Sequence, residues 1–330
     1  MSRLESAPRT ANPTVRALAH RLPGRMASLG TLIGLIGLIV LFGLLKPAIF
    51  LTPLNFSNIL EQVAVLALVA AVQTVVMVVG DFDLSVGALA SLVGVLVAQL
   101  LVAGVDPVQA IAVGLTAGLL AGAINGFLVA YVGLSAFIAT LATMTSFTGL
   151  ALLLSNGTTV FGLPESFIWL GQGRLGPVPV PIVIAVVVML LVWFLLSRTV
   201  LGRTWYAIGG NAEAARLSGV NTRLVRFSAF LIAGLGAALA GVILTARLAS
   251  GHPSAADPMM LSSIAAVFLG VTLSRTGSPT IGGTAVGLGI VGVLSNGLNL
   301  LHVNSYLQQV LTGVIIVLAV SLSRLSRNRR

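Results

Sequence analysis

Two carboxylates interrupt an apolar part of the chain. Asp81 and Asp83 lie in the run 80–87, which also contains Ser85. Ionisable side chains at membrane depth are costly, and they often carry protons or line a pathway where they occur. A structural interpretation is also open, in which Asp83 caps a helix that begins at Leu84 and both acids favour the positive end of its dipole. On the sequence alone, the acids have either a direct transport role or a capping role.

Other chemistry is restricted by residue counts. The chain has no cysteine, and its three histidines, His20, His252 and His302, are far apart and lack the HExxH spacing of zinc enzymes. Its single lysine, Lys46, follows two leucines, whereas an ATP-binding P-loop needs Gly-Lys-Ser/Thr. We therefore expect no catalytic residue, no metal site and no cofactor in this chain.

Asn125 and Asn296 are amides within apolar stretches. In such a setting each amide needs hydrogen-bond partners. Bonds between helices and the lining of a polar cavity would both satisfy them, so either role remains possible.

Glycines recur at four-residue spacing on two apolar stretches. They are Gly118, Gly122 and Gly126 on one stretch and Gly283 and Gly287 on another. This spacing lets two helix backbones approach closely, so we interpret these glycines as packing positions.

The polar stretch 202–220 predicts a short helix. Asn211 is a good N-cap, Glu213 would lie in the first turn, and Gly219 would end the helix. Its small alanines would let another protein approach closely, whereas a helix on a membrane surface usually has a bulky apolar face, and only Leu217 is available here. The residues of this predicted docking helix are Gly210, Asn211, Glu213, Ala214, Ala215, Arg216 and Gly219.

The composition indicates what kind of structure holds these residues in place. Of 330 residues, 57% are hydrophobic and 8% are charged, against about 25% charged residues in soluble domains. The mean hydropathy is +1.07. These values exclude a soluble enzyme, a disordered protein and a fibrous protein, and they indicate a polytopic membrane protein.

Uncharged stretches predict an all-α membrane protein with ten transmembrane helices. A membrane span needs roughly 20 residues of helix. The predicted spans are 26–45, 62–80, 84–105, two within 107–164, about 180–197, 227–246, 258–274 and two within 276–323.

The basic residues predict the orientation of these spans. With the N-terminus in the cytosol, ten spans return the C-terminus there, and 15 of the 18 basic residues fall on the cytosolic side. Because they lie at the ends of apolar runs, the net charge of +10 does not indicate nucleic-acid binding. The predicted parts are a basic cytosolic arm (1–25), a transmembrane domain (26–323) with a cytosolic loop (198–226), and a basic tail (324–330).

A weak internal repeat is compatible with the sequence. Phe56-Ser57 recurs as Phe227-Ser228, Gly80 as Gly251, and Asn125-Gly126 as Asn296-Gly297, always about 171 residues apart. This offset spans five helices, so the two halves would have opposite topology, as in many transporters. Coincidence in a chain rich in glycine, alanine and leucine is the alternative.

Three stretches together resemble the permease subunits of bacterial ABC importers for monosaccharides of the ribose/xylose type. They are residues 80–87, residues 202–219, and Asn296-Gly297-Leu298-Asn299-Leu300 with the span that follows. The resemblance implies two permease chains (identical or paralogous), cytosolic ATPase subunits that bind ATP and Mg, and a periplasmic or lipid-anchored sugar-binding protein. It also implies that residues 211–219 are the coupling helix that docks on the ATPase.

The chain departs from the family pattern at three places. Asp81 replaces the usual glycine, Met260-Leu261-Ser262 lacks an acid, and residues 270–277 replace a glycine-rich turn. These departures leave the sugar open and assign no sugar contact to Met260.

We therefore expect a permease subunit of a sugar importer in the bacterial inner membrane, with both termini cytosolic, that works by alternating access driven by a partner ATPase. The alternative is a proton-coupled secondary transporter with Asp81 and Asp83 as proton carriers. A membrane enzyme is disfavoured, because the chain has no convincing nucleophile or metal cluster.

Overall fold

A computed structural model describes residues 31–274, 276–304, 306–308, 310–311, 313–314 and 317. The helices are α1 (Thr31–Leu45), α2 (Pro47–Phe50), α3 (Pro53–Val79), α4 (Val86–Val102), α5 (Pro107–Phe127), α6 (Ala136–Ser155), α7 (Glu165–Gln172), α8 (Val180–Arg198), α9 (Val200–Gly210), α10 (Ala212–Leu217), α11 (Thr222–Leu248), α12 (Asp257–Val271) and α13 (Ile281–Leu300). A π turn, Leu128–Val132, continues α5. One antiparallel hairpin pairs β1 (Arg174–Leu175) with β2 (Val178–Pro179).

Six of these helices are long and apolar enough to cross a membrane, namely α3, α5 with its π turn, α6, α8, α11 and α13. Three shorter apolar helices, α1, α4 and α12, accompany them. The predicted helical, polytopic membrane architecture is therefore confirmed. Most of the last predicted span lies outside the described residues, as do the basic arm, Arg275 and the tail.

Two helices of 27 residues, α3 and α11, form the centre of the bundle. Every residue of α3 from Ala64 to Val79 is buried, as expected for a helix that is apolar on all sides. The hydroxyl of Thr52 caps its start, and Gly80 ends it in the left-handed conformation, with φ of 93°.

Close packing at the predicted glycines is confirmed. A β-carbon built on Gly118 would lie 2.2 Å from an α11 side chain, and one on Gly122 would lie 2.4 Å from an α11 carbonyl oxygen. Gly126 also approaches α11 closely, and Gly283 and Gly287 of α13 press against the backbone of α12. Larger residues at these positions would separate the helices.

The loops divide between two ends of the bundle, which we call the α7 end and the α9 end after the helices they carry. At the α7 end, Val160 pairs with Gly251 in an isolated β-bridge. There, Arg174 Nη2 also donates to Glu61 Oε1 at 2.9 Å. At the α9 end, the loop 80–85 and the loop 272–280 lie beside α9. The first residues of α4 and α12 lie against each other, since a β-carbon built on Gly87 would lie 2.8 Å from the carbonyl oxygen of Ala256.

Candidate functional site

The predicted docking helix is present as α10. Asn211 Oδ1 accepts the N–H of Ala214 at 2.9 Å, so Asn211 is the N-cap. Glu213 lies in the first turn and Arg216 in the last. Gly219 follows the helix with φ of 85°, which favours glycine. The sequence thus predicted each boundary of this helix correctly.

Glu213 and Arg216 pair along the exposed side of α10. Arg216 Nε donates to Glu213 Oε2 at 3.0 Å, and Nη2 bonds the other carboxylate oxygen. This hydrogen bonding holds the pKa of Glu213 below its ordinary value. Because both side chains are well exposed, the pair orders the helix surface and adds little stability.

The two alanines of α10 have different environments, which corrects the expectation that both face outward. Ala214 is exposed, but Ala215 is only 6% exposed and belongs to an apolar cluster with Trp205 and Ile208 of α9. Leu217, in contrast, is 75% exposed. A partner that approaches α10 would therefore meet Ala214 and Leu217, while Ala215 fixes α10 to the rest of the protein.

Helix α9 connects α10 to the membrane helices. Trp205 is fully buried, and its Nε1 donates to the carbonyl oxygen of Val225 at 3.0 Å and faces Ser228 Oγ at 3.2 Å. The Tyr206 hydroxyl donates to the carbonyl oxygen of Pro279 at 2.8 Å. Helix α9 is therefore bonded both to the start of α11 and to the loop before α13.

Asp81 forms an ion pair with Arg226. This corrects the expectation that its charge interacts mainly with the positive end of a helix dipole. Arg226 Nη2 and Nε donate to its two carboxylate oxygens at 2.7 and 2.9 Å. The side chain of Asp81 is 11% exposed and that of Arg226 is 32% exposed. The bidentate geometry fixes the loop 80–85 to the first turns of α11.

Asp83 is buried, with 1% of its surface exposed. Helix α4 begins at Val86 rather than at Leu84, so Asp83 is not its N-cap residue. Its Oδ1 instead accepts the backbone N–H of Ser85 at 2.8 Å and the Ser85 hydroxyl at 2.6 Å. The structure thus places Asp83 where an ionised carboxylate is costly, and it does not place it at the predicted cap position.

Asn125 and Asn296 both bond to other helices or loops. Asn125 Nδ2 donates to Ser85 Oγ at 2.8 Å, which joins α5 to the start of α4. Asn296 and Asn55 exchange two amide hydrogen bonds of 3.0 Å, which join α13 to α3 near the α7 end. Of the two roles considered for Asn125 and Asn296, the structure therefore shows the hydrogen-bond partners that join helices.

A cavity of about 80 Å³ lies between α12 and α13. Ser262 and Ser295 contribute hydroxyls to its lining, together with apolar residues. Its volume is well below the 300 Å³ or so of ligand pockets, so it does not form a closed sugar site. Among the residues that the structure describes, no three His, Asp or Glu side chains are arranged to hold a metal ion.

Sequence reasoning did not single out four residues that build this end of the bundle. For Trp205 and Tyr206, the signal was an aromatic pair inside a polar stretch. For Gly209, which packs against the backbone of Val78 at the end of α3, it was a glycine two residues before an N-cap. For Arg226 there was no usable signal, because its partner is 145 residues away in the chain.

Comparison with known proteins identifies a family. Residues 55–320 match the family described as "Branched-chain amino acid transport system / permease component". This match includes both the loop 80–85 and α10. No solved structure matches the chain.

Curated relatives are similar over nearly the whole chain. The ribose import permease protein of Bacillus subtilis is 45% identical over 303 residues, which cover 91% of this chain and 94% of the relative. The ribose import permease protein of Escherichia coli K12 is 42% identical over 88% of this chain and 91% of its own length. The D-allose transport system permease protein of the same strain is 39% identical over 90% and 91%.

Proposed function

The chain belongs to this family of ABC transporter permeases, and from this premise we propose that it is the membrane-spanning subunit of an importer that carries a monosaccharide into the cell. One observation carries the proposal: 45% identity to a ribose import permease over nearly the full length of both chains. Ribose is the first substrate to test, because two of the similar relatives are named for it. Allose and other monosaccharides are the next substrates to test.

The proposed topology has ten spans with both termini in the cytosol of a bacterial inner membrane. The six long apolar helices and the three shorter ones would form nine of these spans, and the tenth would follow the break at 301–305. The α9 end would be cytosolic, because residues 198–226 carry five arginines. The arm 1–25 and the tail 324–330 would lie on the same side. A reporter that is active only outside the cytosol must be active after Trp169 and silent after Gly210.

Two features support an inverted repeat within the domain 26–323. Helices α3 and α11 both have 27 residues and run in opposite directions, and each ends at a left-handed residue, Gly80 or Ala249. The shorter helices α4 and α12 follow them, starting at Val86 and Asp257, 171 residues apart. The two halves would then rock against each other during alternating access.

Helix α10 is the proposed contact for a partner ATPase. The sequence has no Gly-Lys-Ser/Thr triplet of a P-loop. ATP and Mg would therefore be bound by that partner, and its motion would enter through a cytosolic contact. A capped helix with Ala214 and Leu217 exposed offers a rigid surface with one apolar anchor. Burial of Ala215 against α9 would pass displacement of α10 on to the membrane helices.

Two further partners complete the proposal. The sugar pathway would form between two permease chains, a homodimer or a pair of paralogues, and the cavity between α12 and α13 is too small to serve alone. A periplasmic or lipid-anchored sugar-binding protein would deliver the sugar at the α7 end. Most of the selectivity would reside in that protein.

The proton-coupled alternative is disfavoured by the pairing of Asp81. A proton carrier needs a carboxylate that is free to take up a proton, whereas Arg226 donates to both carboxylate oxygens of Asp81. Asp83 alone would then have to carry the proton, and it is enclosed in the protein.

The docking surface can be tested by co-purification of the ATPase. Ala214→Glu and Leu217→Glu place a charge at the proposed contact, and retained ATPase should fall at least about tenfold, because charges inside an interface core are costly. Ala207→Glu is the matched control, since Ala207 is an exposed alanine on α9. Normal co-purification with both variants would place the ATPase contact elsewhere.

A further inference from the structure

The loop 80–85 holds a buried acid that has no counter-ion in its own cluster. Asp83 accepts two hydrogen bonds from Ser85. The side chain of Asn125 faces the same carboxyl and donates to Ser85 Oγ. Asn125 is fully buried, and its Oδ1 has no hydrogen-bond partner. If Asp83 were ionised, its carboxylate would therefore have no counter-ion in the cluster. The cluster also contains an acceptor without a donor, Asn125 Oδ1.

Charged groups near the cluster do not compensate Asp83. Asp81 and Arg226 lie closest along the loop, and they neutralise each other in their bidentate pair. Helices α4, α5 and α6, which meet at this loop, contain no Asp, Glu, Lys or Arg. Helix α12 begins beside the first turn of α4, and its Asp257 is another acid, which bonds to Ser91 and cannot serve as a counter-ion. Thr140 of α6 contributes only its hydroxyl oxygen, which accepts the N–H of Leu84 at 3.1 Å.

A single proton on Asp83 would remove the uncompensated charge and add a donor to a cluster that has an unpaired acceptor. An ionised carboxylate without a counter-ion in a dry site is strongly disfavoured, and such groups usually become neutral. A neutral carboxyl keeps one oxygen to accept the two bonds from Ser85 and gains an O–H donor. Asn125 Oδ1 is the acceptor in the cluster that lacks a donor.

We propose that Asp83 binds a proton and keeps it, and that the neutral acid locks the loop 80–85 to α5 through Ser85 and Asn125. The loop separates α3 from α4, so the lock would hold the end of α3, the start of α4 and the end of α5 together. Asp83 would then be a positioning residue that never ionises during transport. The inference concerns the protein whatever its substrate, so it does not rest on the proposed function.

Infrared spectroscopy of the purified full chain in lipid tests the protonation directly. A neutral carboxyl has a carbonyl stretch that is well separated from carboxylate bands. We expect this band at neutral pH in the wild type, its loss in Asp83→Asn, and its retention in Asp81→Asn, the matched control two residues away. Absence of the band in the wild type, or its persistence in Asp83→Asn, would overturn the proposal.

A bound cation such as sodium is the competing solution, and the same experiment detects it. Sodium at the cluster would leave Asp83 ionised, so its carboxylate bands would shift between sodium-containing and sodium-free buffer, and no neutral carboxyl would appear. That outcome also overturns the proposal.

Two variants test the lock in function. Asparagine reproduces a neutral acid, with one oxygen to accept from Ser85 and an uncharged donor group, so Asp83→Asn should keep uptake within about twofold. Asp83→Ala leaves the Ser85 donors unpaired and should reduce uptake or the amount of folded protein at least about tenfold. Loss of uptake in folded Asp83→Asn would mean that the charge is needed and would contradict the proposal. The infrared result stands even if the chain proves not to be a sugar importer.

Discussion

Gly209 of α9 lies against the carbonyl oxygen of Val78 in the last turn of α3. A β-carbon built on Gly209 would lie 1.9 Å from that oxygen, a distance that real β-carbons do not reach. The contact brings the helix before α10 to backbone distance from the central helix of the bundle. It makes α9 a rigid connection between the proposed docking helix and the membrane domain.

Gly209→Ala should therefore destabilise the protein. The added methyl must separate α9 from α3, and overpacking of this kind costs about 1–3 kcal/mol. Gly210→Ala is the matched control, because its β-carbon would meet nothing within 4 Å and alanine favours a helix by up to about 1 kcal/mol. Thermal unfolding of both variants in detergent measures the difference. Equal stability would mean that the two helices separate at no cost.

The two alanines of α10 should respond differently to the same substitution. Ala215→Glu places a charge in the cluster around Trp205, which costs several kcal/mol, so the yield of folded protein should fall. Ala214→Glu points to solvent and should leave folding unchanged. Size-exclusion profiles and thermal unfolding separate the two cases. A stable Ala215→Glu protein would contradict the burial of Ala215.

The Asp81–Arg226 pair should show coupling in a double-mutant cycle. We expect an interaction energy of about 0.5–2 kcal/mol from Asp81→Asn and Arg226→Gln, reduced by the partial exposure of the arginine. The Glu61–Arg174 pair at the α7 end is the matched control, with 50% of the arginine side chain exposed, and should give about 0–1 kcal/mol. Additive effects of the Asp81 and Arg226 substitutions would mean that the two side chains do not stabilise each other.

Stability should depend on pH through Asp83. Burial raises the pKa of Asp83, and its bonds to Ser85 lower it only in part. In the unfolded chain this acid ionises near its ordinary value of about 3.9. Above that pH the native state holds a proton that the unfolded state has lost, so stability falls as pH rises, until the raised native pKa is passed.

Thermal unfolding between pH 4 and pH 8 or so measures this dependence. Asp83→Asn should remove the part of the slope that Asp83 causes, while Asp81→Asn should retain it. An unchanged slope in Asp83→Asn would assign the pH dependence to other groups.

Features set by local sequence could be predicted. Asn211, Glu213 and Gly219 act within a few residues of α10, so capping rules located that helix correctly. The apolar helices followed from hydropathy, because a membrane helix satisfies its own backbone. The four-residue spacing of Gly118 and Gly122 indicated close packing without naming the partner helix.

Features set by tertiary packing could not be predicted. Ala214 and Ala215 are adjacent and identical, and only the position of α9 decides which is buried. Asp81 is three residues before the predicted helix start at Leu84, where a role at the helix dipole was reasonable. An arginine far along the chain provides a nearer charge. Capping rules predicted that Asp83 caps a helix beginning at Leu84. In the structure the loop continues to Ser85, and the helix begins at Val86.

The central claim is that this chain moves a monosaccharide only when a partner ATPase hydrolyses ATP. Uptake of radiolabelled ribose into proteoliposomes that contain the chain with its ATPase and binding protein tests it most directly. We predict uptake that requires ATP on the side of the ATPase and is abolished by Ala214→Glu, with no uptake driven by a proton gradient alone. Ribose uptake by the chain alone, driven by a proton gradient without ATP, would contradict the account.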